Sequence, residues 1–224
     1  MKLSELLRRF RVEANDKVQP YFNEDEDVIA WLNEAVEEAC IRGRLIHEMQ
    51  NPDVCRIAVS QGNSLYSLHE SLYEISFLAF DYGDGRCARG VEIVSPEYLD
   101  RCFYDNWRTM QGQPQYAIQN DRSIQLVPAP DEDGSIVLNG YRLPLTAMQN
   151  DDEAPGDLFK GHHVHLVQWA LHMAFSIPDT EFFDPNRAAI AEQKFTDYFG
   201  ERPDADLRRM TREDMPQTVV PIMP

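Results

Sequence analysis

Residues 157–200 read DLFKGHHVHLVQWALHMAFSIPDTEFFDPNRAAIAEQKFTDYFG, and this stretch decides the fold. Phe159, His163, Leu166, Val167, Ala170, Ala174 and Ile177 recur at steps of three and four, which places them on one face of a helix. Pro178 disfavours helical backbone at Ile177, and Pro178-Asp179 marks a turn. Asp184 can accept hydrogen bonds from the first N–H groups of a second helix. Pro185 suits the first position of that helix, where a missing N–H costs nothing. Ala188, Ala191, Phe195 and Tyr198 then form an apolar stripe, and Gly200 ends it at the C′ position. The stretch predicts a helical hairpin, half of a bundle.

The other half opens the chain. Leu3, Leu6, Leu7, Phe10 and Ala14 make an amphipathic first helix. Its polar side carries Arg8, Arg9 and Arg11, a basic cluster that reads either as a solvated face or as a docking patch for an acidic partner. After a loop containing Pro20, Asn23 with Glu26 three residues on resembles a capping box. Glu24, Asp25, Glu26 and Asp27 suit the positive end of the helix dipole. Val28, Leu32, Ala35, Val36 and Ala39 form the buried stripe of that second helix, which frays after Gly43 and closes at Asn51-Pro52.

Between the two helix pairs the texture changes. Strands are expected over 54–59, 65–68, 73–80 and 88–94, separated by Gly- and Asn-rich turns. Ser95-Pro96-Glu97 caps a short helix carrying Tyr98, Leu99, Cys102 and Phe103. Strands at 116–118 and 124–126 are joined through Asn120-Asp121, and 136–141 is the last. Tyr98, Phe103, Tyr104 and Trp107 read as a satellite core rather than a platform for bases. The expected fold class is therefore α+β: a helical bundle from the N- and C-terminal helix pairs (1–50 and 151–200), an inserted small antiparallel β-sandwich or barrel (51–150), and an extended tail (201–224).

The formal net charge of −17 in 224 residues argues against gripping a nucleic-acid backbone over the general surface. Cys40, Cys55, Cys87 and Cys102 form no CxxC pair and fit no zinc spacing, which suits a reduced intracellular chain. No secretory signal opens the chain, and no run approaches a membrane span. There is no nucleophile elbow, P-loop or dinucleotide fingerprint, so no catalytic residue and no cofactor is assigned. His162, His165 and His172 share a stripe that could offer imidazoles to a metal, but no Asp, Glu or Cys lies on that stripe and HExxH is absent, so it reads as a solvated or interface helix face or a pH-sensitive contact, and no metal site is assigned. The turns Asp131-Glu132-Asp133 and Asp151-Asp152-Glu153 lack the calcium-loop pattern.

Three stretches carry a resemblance. They are Val28-Ile29-Ala30-Trp31-Leu32-Asn33-Glu34-Ala35, the strand and turn Leu126-Val127-Pro128-Ala129-Pro130-Asp131-Glu132-Asp133-Gly134, and Pro178 to Ala189 continuing to Phe195 and Gly200. In this order they resemble the head–tail connector, or adaptor, proteins of tailed bacteriophages. The resemblance implies a virion structural protein rather than an enzyme. It implies a homo-oligomeric ring, usually of about twelve copies, assembled in the host cytoplasm and seated beneath the portal at the head–tail junction. Such a ring meets the portal protein on one side and a tail or nozzle protein on the other, and genome DNA passes through its channel without specific binding. In this chain the portal-binding tail would include Leu207, Met210, Val219, Val220 and Ile222. Its 24 residues reach about 80 Å when extended. The lumen candidates are Asp131, Glu132, Asp133, Asp151 and Asp152, where negative walls would keep DNA from sticking. Two other classes stand beside this reading: a metal-dependent hydrolase using His162, His165 and His172, and a cytoplasmic protein-binding module.

Overall fold

The computed structural model describes residues 1–150, 152–156, 158–178 and 180–203. In chain order the elements are α1 (Leu3–Ala14), α2 (Asp25–Gly43), β1 (His47–Glu48), α3 (Pro52–Cys55), β2 (Arg56–Val59), β3 (Leu65–Ser67), β4 (Leu72–Asp81), β5 (Arg89–Gly90), β6 (Glu92–Ile93), α4 (Pro96–Phe103), a 3-10 segment (Tyr104–Thr109), β7 (Gln111–Gly112), β8 (Tyr116–Gln119), β9 (Ser123–Val127), β10 (Ala129–Pro130), β11 (Gly134–Arg142), α5 (His163–Ser176) and α6 (Pro185–Phe199). The protein is α+β. Its residues group into two units, one of 1–48, 71–74 and 140–202, the other of 49–70 and 75–139 together with Pro203.

The first unit is helical. α5 is its central element and packs against α6, α2 and α1. Leu3, Leu6 and Phe10 of α1, Val28, Leu32 and Ala35 of α2, Leu166, Val167, Ala170 and Ala174 of α5, and Phe195 of α6 lose essentially all solvent contact. These are the positions the 3.6-residue period selects, and burying them together is what makes four short helices stable. Glu5 reaches back to the Lys2 N–H, so α1 has half of a capping box. Within the same unit β1 pairs antiparallel with β11 through His47 with Tyr141 and Glu48 with Gly140. A Cβ on Gly140 would run into the Glu74 backbone carbonyl, so close strand approach requires glycine there.

The hairpin is shorter at its start than its pattern suggests. α5 begins at His163, and Phe159 lies before it, 74% exposed; Ile177 is the residue after its last turn. Phe159 therefore leaves the buried stripe. Asp184 Oδ1 accepts from the N–H groups of Asn186 and Arg187, both at 3.1 Å, and Gly200 takes a positive φ of 90°. Asp184→Ala removes this cap, and thermal unfolding should show a loss of about 1 kcal/mol.

Several local expectations are corrected. Asn23 does not cap α2. It is buried because its N–H and side-chain amide both donate to Asp16, and Glu24 takes the cap position. Asn51-Pro52 does not close α2, which ends at Gly43 with Arg44 in the left-handed region; Asn51 instead caps the single turn α3. That turn occupies Val54 and Cys55, so the strand starts at Arg56.

The second unit is built of short strands. β2 pairs antiparallel with β11 from Val59–Gly134 to Arg56–Val137. β4 pairs with β5, Ala79 opposite Gly90. A separate sheet runs β3–β9–β8–β6. The stretch 88–94 is thus two strands, β5 and β6, in different sheets, because Val91 between them turns the chain across. The sheets are also mixed rather than antiparallel throughout: β6 runs parallel to β8, and β7 parallel to β10. Val94, Leu99, Trp107, Ile118 and Val127 form a small core under α4, with Tyr98, Phe103 and Tyr116 at its edge. Tyr104 is 78% exposed and lies outside it. Ser95 Oγ accepts from the Tyr98 N–H as the α4 cap.

Candidate functional site

The structure separates the three arginines of α1. Arg11 is buried: Nη1 binds Asp16 Oδ2 at 2.5 Å, Nη2 binds Asp25 Oδ1 at 2.6 Å, and the guanidinium sits 4.1 Å from the Tyr21 ring centre. It holds the loop between α1 and α2, and its guanidinium lies inside the fold rather than on the exposed face with Arg8 and Arg9. Helix geometry explains this, since Arg11 follows Phe10 on the inward edge of the stripe. Burial pushes the Asp16 carboxyl up. The N–H groups of Phe22 and Asn23 and the Arg11 charge outweigh it and hold Asp16 below its ordinary range. Arg8 and Arg9 stay exposed, and Arg9 Nε binds Glu13 at 2.7 Å.

The histidines face α6. His162 Nδ1 lies 3.2 Å from the Tyr198 hydroxyl, His165 stacks on the Tyr198 ring at 3.5 Å between centres, and His172 Nδ1 lies 3.1 Å from the Ala188 carbonyl oxygen. Burial first, then neighbouring positive charge, lowers the His162 and His165 pKa values. Both imidazoles are biased to the neutral form. Among the described residues no three of His, Cys, Asp and Glu gather into a metal-sized cluster. The stripe is an internal seam of the hairpin. His163, on the adjoining face, is buried, with Nδ1 2.7 Å from the Met1 amino group and Nε2 3.2 Å from the Leu158 carbonyl oxygen.

Beside this seam lies a groove of about 420 Å³. α5 supplies its floor with Val164, His165 and Gln168; α1 supplies Arg9, and α6 supplies Lys194, Asp197 and Tyr198. Gln168 donates to Glu13, and Arg187 donates to the Glu13 carbonyl oxygen, bridging the two walls. No periodicity in one helix could have found this site, because its lining comes from three helices.

The last described residues are anchored. Arg42 and Glu38 form a buried ion pair at 2.8 Å. Arg42 also donates to Thr196 Oγ1 and the Gly200 carbonyl oxygen and lies over Trp169 and Phe195. Arg202 Nε is 3.8 Å from Glu38. Leu207, Met210, Val219, Val220 and Ile222 lie outside the described residues, as does Asp151.

The acidic turn after β10 is exposed but engaged. Asp133 Oδ1 accepts from the Gln61 N–H, and Glu132 is held by Arg86, which also binds Asp84 and stacks on Tyr82. Asp152 pairs with Lys2 at 2.7 Å at the surface, and that hydrogen bond lowers its pKa. Cys40 and Cys55 are buried, and burial pushes the Cys40 thiol up to about 12, so it is unreactive; Cys87 and Cys102 are exposed. No described helix is long and apolar enough to cross a membrane.

The buried charges are paired inside the fold, and no described cluster offers a metal or catalytic centre to read a function from. The chain belongs to the SU10 adaptor protein family, whose model matches residues 1–220. This is a phage head–tail adaptor family, so the chain is a structural component of the virion at the head–tail junction, where it works with portal and tail components. No curated protein matches it.

Proposed function

We propose that copies of this chain form a closed ring that joins the portal vertex to the tail, lines part of the DNA channel, and attaches to the portal through residues 201–224. The observation that carries this reading is the family match over residues 1–220, nearly the whole chain. The anchoring of Gly200 and Arg202 on α2 supports the assignment of the tail, because a fixed exit point directs whatever follows. Attachment through a single copy need only be weak, because many copies engaging one ring make it firm. The net charge of −17 supports a channel that repels DNA, with the exposed Asp131, Glu132, Asp133 and Asp152 as its candidate lining.

Electron microscopy of the protein mixed with portal rings tests this directly. The full chain should decorate the portal as a ring. A chain ending at Gly200 should still unfold cooperatively on heating and should lose most of its portal occupancy. Undiminished binding by the shortened chain would remove the tail from the reading, and a lumen that is neutral or basic would remove the channel lining.

A further inference from the structure

We propose that neighbouring copies join by seating the acidic outer stripe of α2 from one copy in the α1–α5–α6 groove of the next. This rests on the ring reading and names the two faces such a ring would use. On α2, Val28, Leu32, Ala35, Val36 and Ala39 are buried. Glu26, Ala30, Glu34 and Glu37 are exposed and recur at steps of four, four and three, so they form one stripe on the far side of the helix. None of these three glutamates forms a hydrogen bond or ion pair with another described residue, and Ala30 leaves room for close helix approach.

The groove carries two cationic side chains, Arg9 and Lys194, beside the carboxylates of Glu13 and Asp197. Arg9 and Lys194 stand on opposite walls, and Lys194 has no ion-pair partner among the described residues. Glu13 pairs with Arg9 and accepts from Gln168, and Asp197 accepts from the neutral Gln193, so Lys194 is the groove's unpaired cation among the described residues. The stacked His165 and Tyr198 rings and Val164 supply an apolar floor of the kind that receives a helix.

Placement decides in favour of a second copy of this chain. On α5 the fully buried Leu166, Val167, Ala170 and Ala174 face the core shared with α2, while Val164, His165 and Gln168 lie toward the other side of the helix. The groove lining comes from α1, α5 and α6 and includes no α2 residue, so the groove and the α2 stripe are separate patches of the helical unit. Two different patches that fit each other make a head-to-tail contact, which closes into a ring when the rotation between copies permits.

Reciprocal charge reversal tests the pairing. In Glu34→Lys/Glu37→Lys, the new stripe cations face Lys194 and Arg9; in Arg9→Glu/Lys194→Glu, stripe and groove are both negative. Each full-length variant should need at least about tenfold more protein than wild type for half-assembly in sedimentation or native mass measurements at low salt. An equimolar mixture should recover assembly, because each variant's stripe then meets the other's groove. Circular dichroism confirms that each variant is folded. Variants that assemble like wild type, or a mixture of folded variants that fails to recover, would overturn this interface and leave the ring reading standing. A wild-type chain that stays monomeric both alone and on portal rings would remove the ring and this interface together.

Discussion

Asp16→Ala should cost about 3–5 kcal/mol of stability, a large share of the 5–15 kcal/mol typical of a domain. The substitution leaves Arg11 buried with its remaining partner, Asp25, on the solvent side, and it strips the Phe22 and Asn23 N–H groups of their acceptor. A buried charge without its counter-ion is far more costly than a lost surface pair. Urea titration of the variant should show a lower midpoint with an unchanged slope. The same carboxylate sets an acid limit. Its folded pKa lies below the ordinary value near 3.9, so its contribution is complete above that value and is lost as pH falls through the folded pKa. Wild type should therefore lose stability progressively below about pH 4. In Asp16→Asn that component should be missing, and the stability curve should be flatter in the same window. Equal acid sensitivity in the two proteins would place the effect elsewhere.

Phe195→Ala should be comparably severe, at about 3–5 kcal/mol. Phe195 has no exposed surface, and its ring centre is 5.1 Å from Trp169 and 4.7 Å from Phe199. Removing the ring opens a cavity where α6 meets α5 and withdraws one of the two rings that flank the buried Arg42 guanidinium. Tyr198→Ala is the control. Tyr198 lies one turn on and is 43% exposed, so its truncation should cost far less in thermal unfolding while changing the groove wall. A loss as large from Tyr198 as from Phe195 would mean that the seam with His162 and His165, rather than the core, holds the hairpin.

The helical elements were legible because each one states its own period. Leu3, Leu6 and Phe10, or Ala188, Ala191 and Phe195, repeat at the helical step, and Asp184-Pro185 and Ser95-Pro96 announce helix starts through chemistry that acts within three residues. The α+β class follows from such local signals, and so does the resemblance to the adaptor family, since its three stretches consist largely of capping and packing residues. The strands were less legible. A two-residue strand such as β5 or β6 has no period to display, and its sheet is chosen by neighbours dozens of residues away. The parallel pairing of β6 with β8 could not be read for the same reason.

The candidate surfaces divide along the same line. Sequence alone determined which residues on each helix are apolar, which carry charge, and that the whole chain is acidic, because these are properties of residue type and spacing. Only the tertiary structure decided what the charges do. It buried Arg11 against Asp16 while leaving Arg9 on a groove wall, and turned the histidine stripe inward onto Tyr198. It also brought α1, α5 and α6 together around one cleft and left the α2 glutamates exposed. Partner choice for a charged side chain depends on distances between elements far apart in the chain, and those distances exist only once the core has closed.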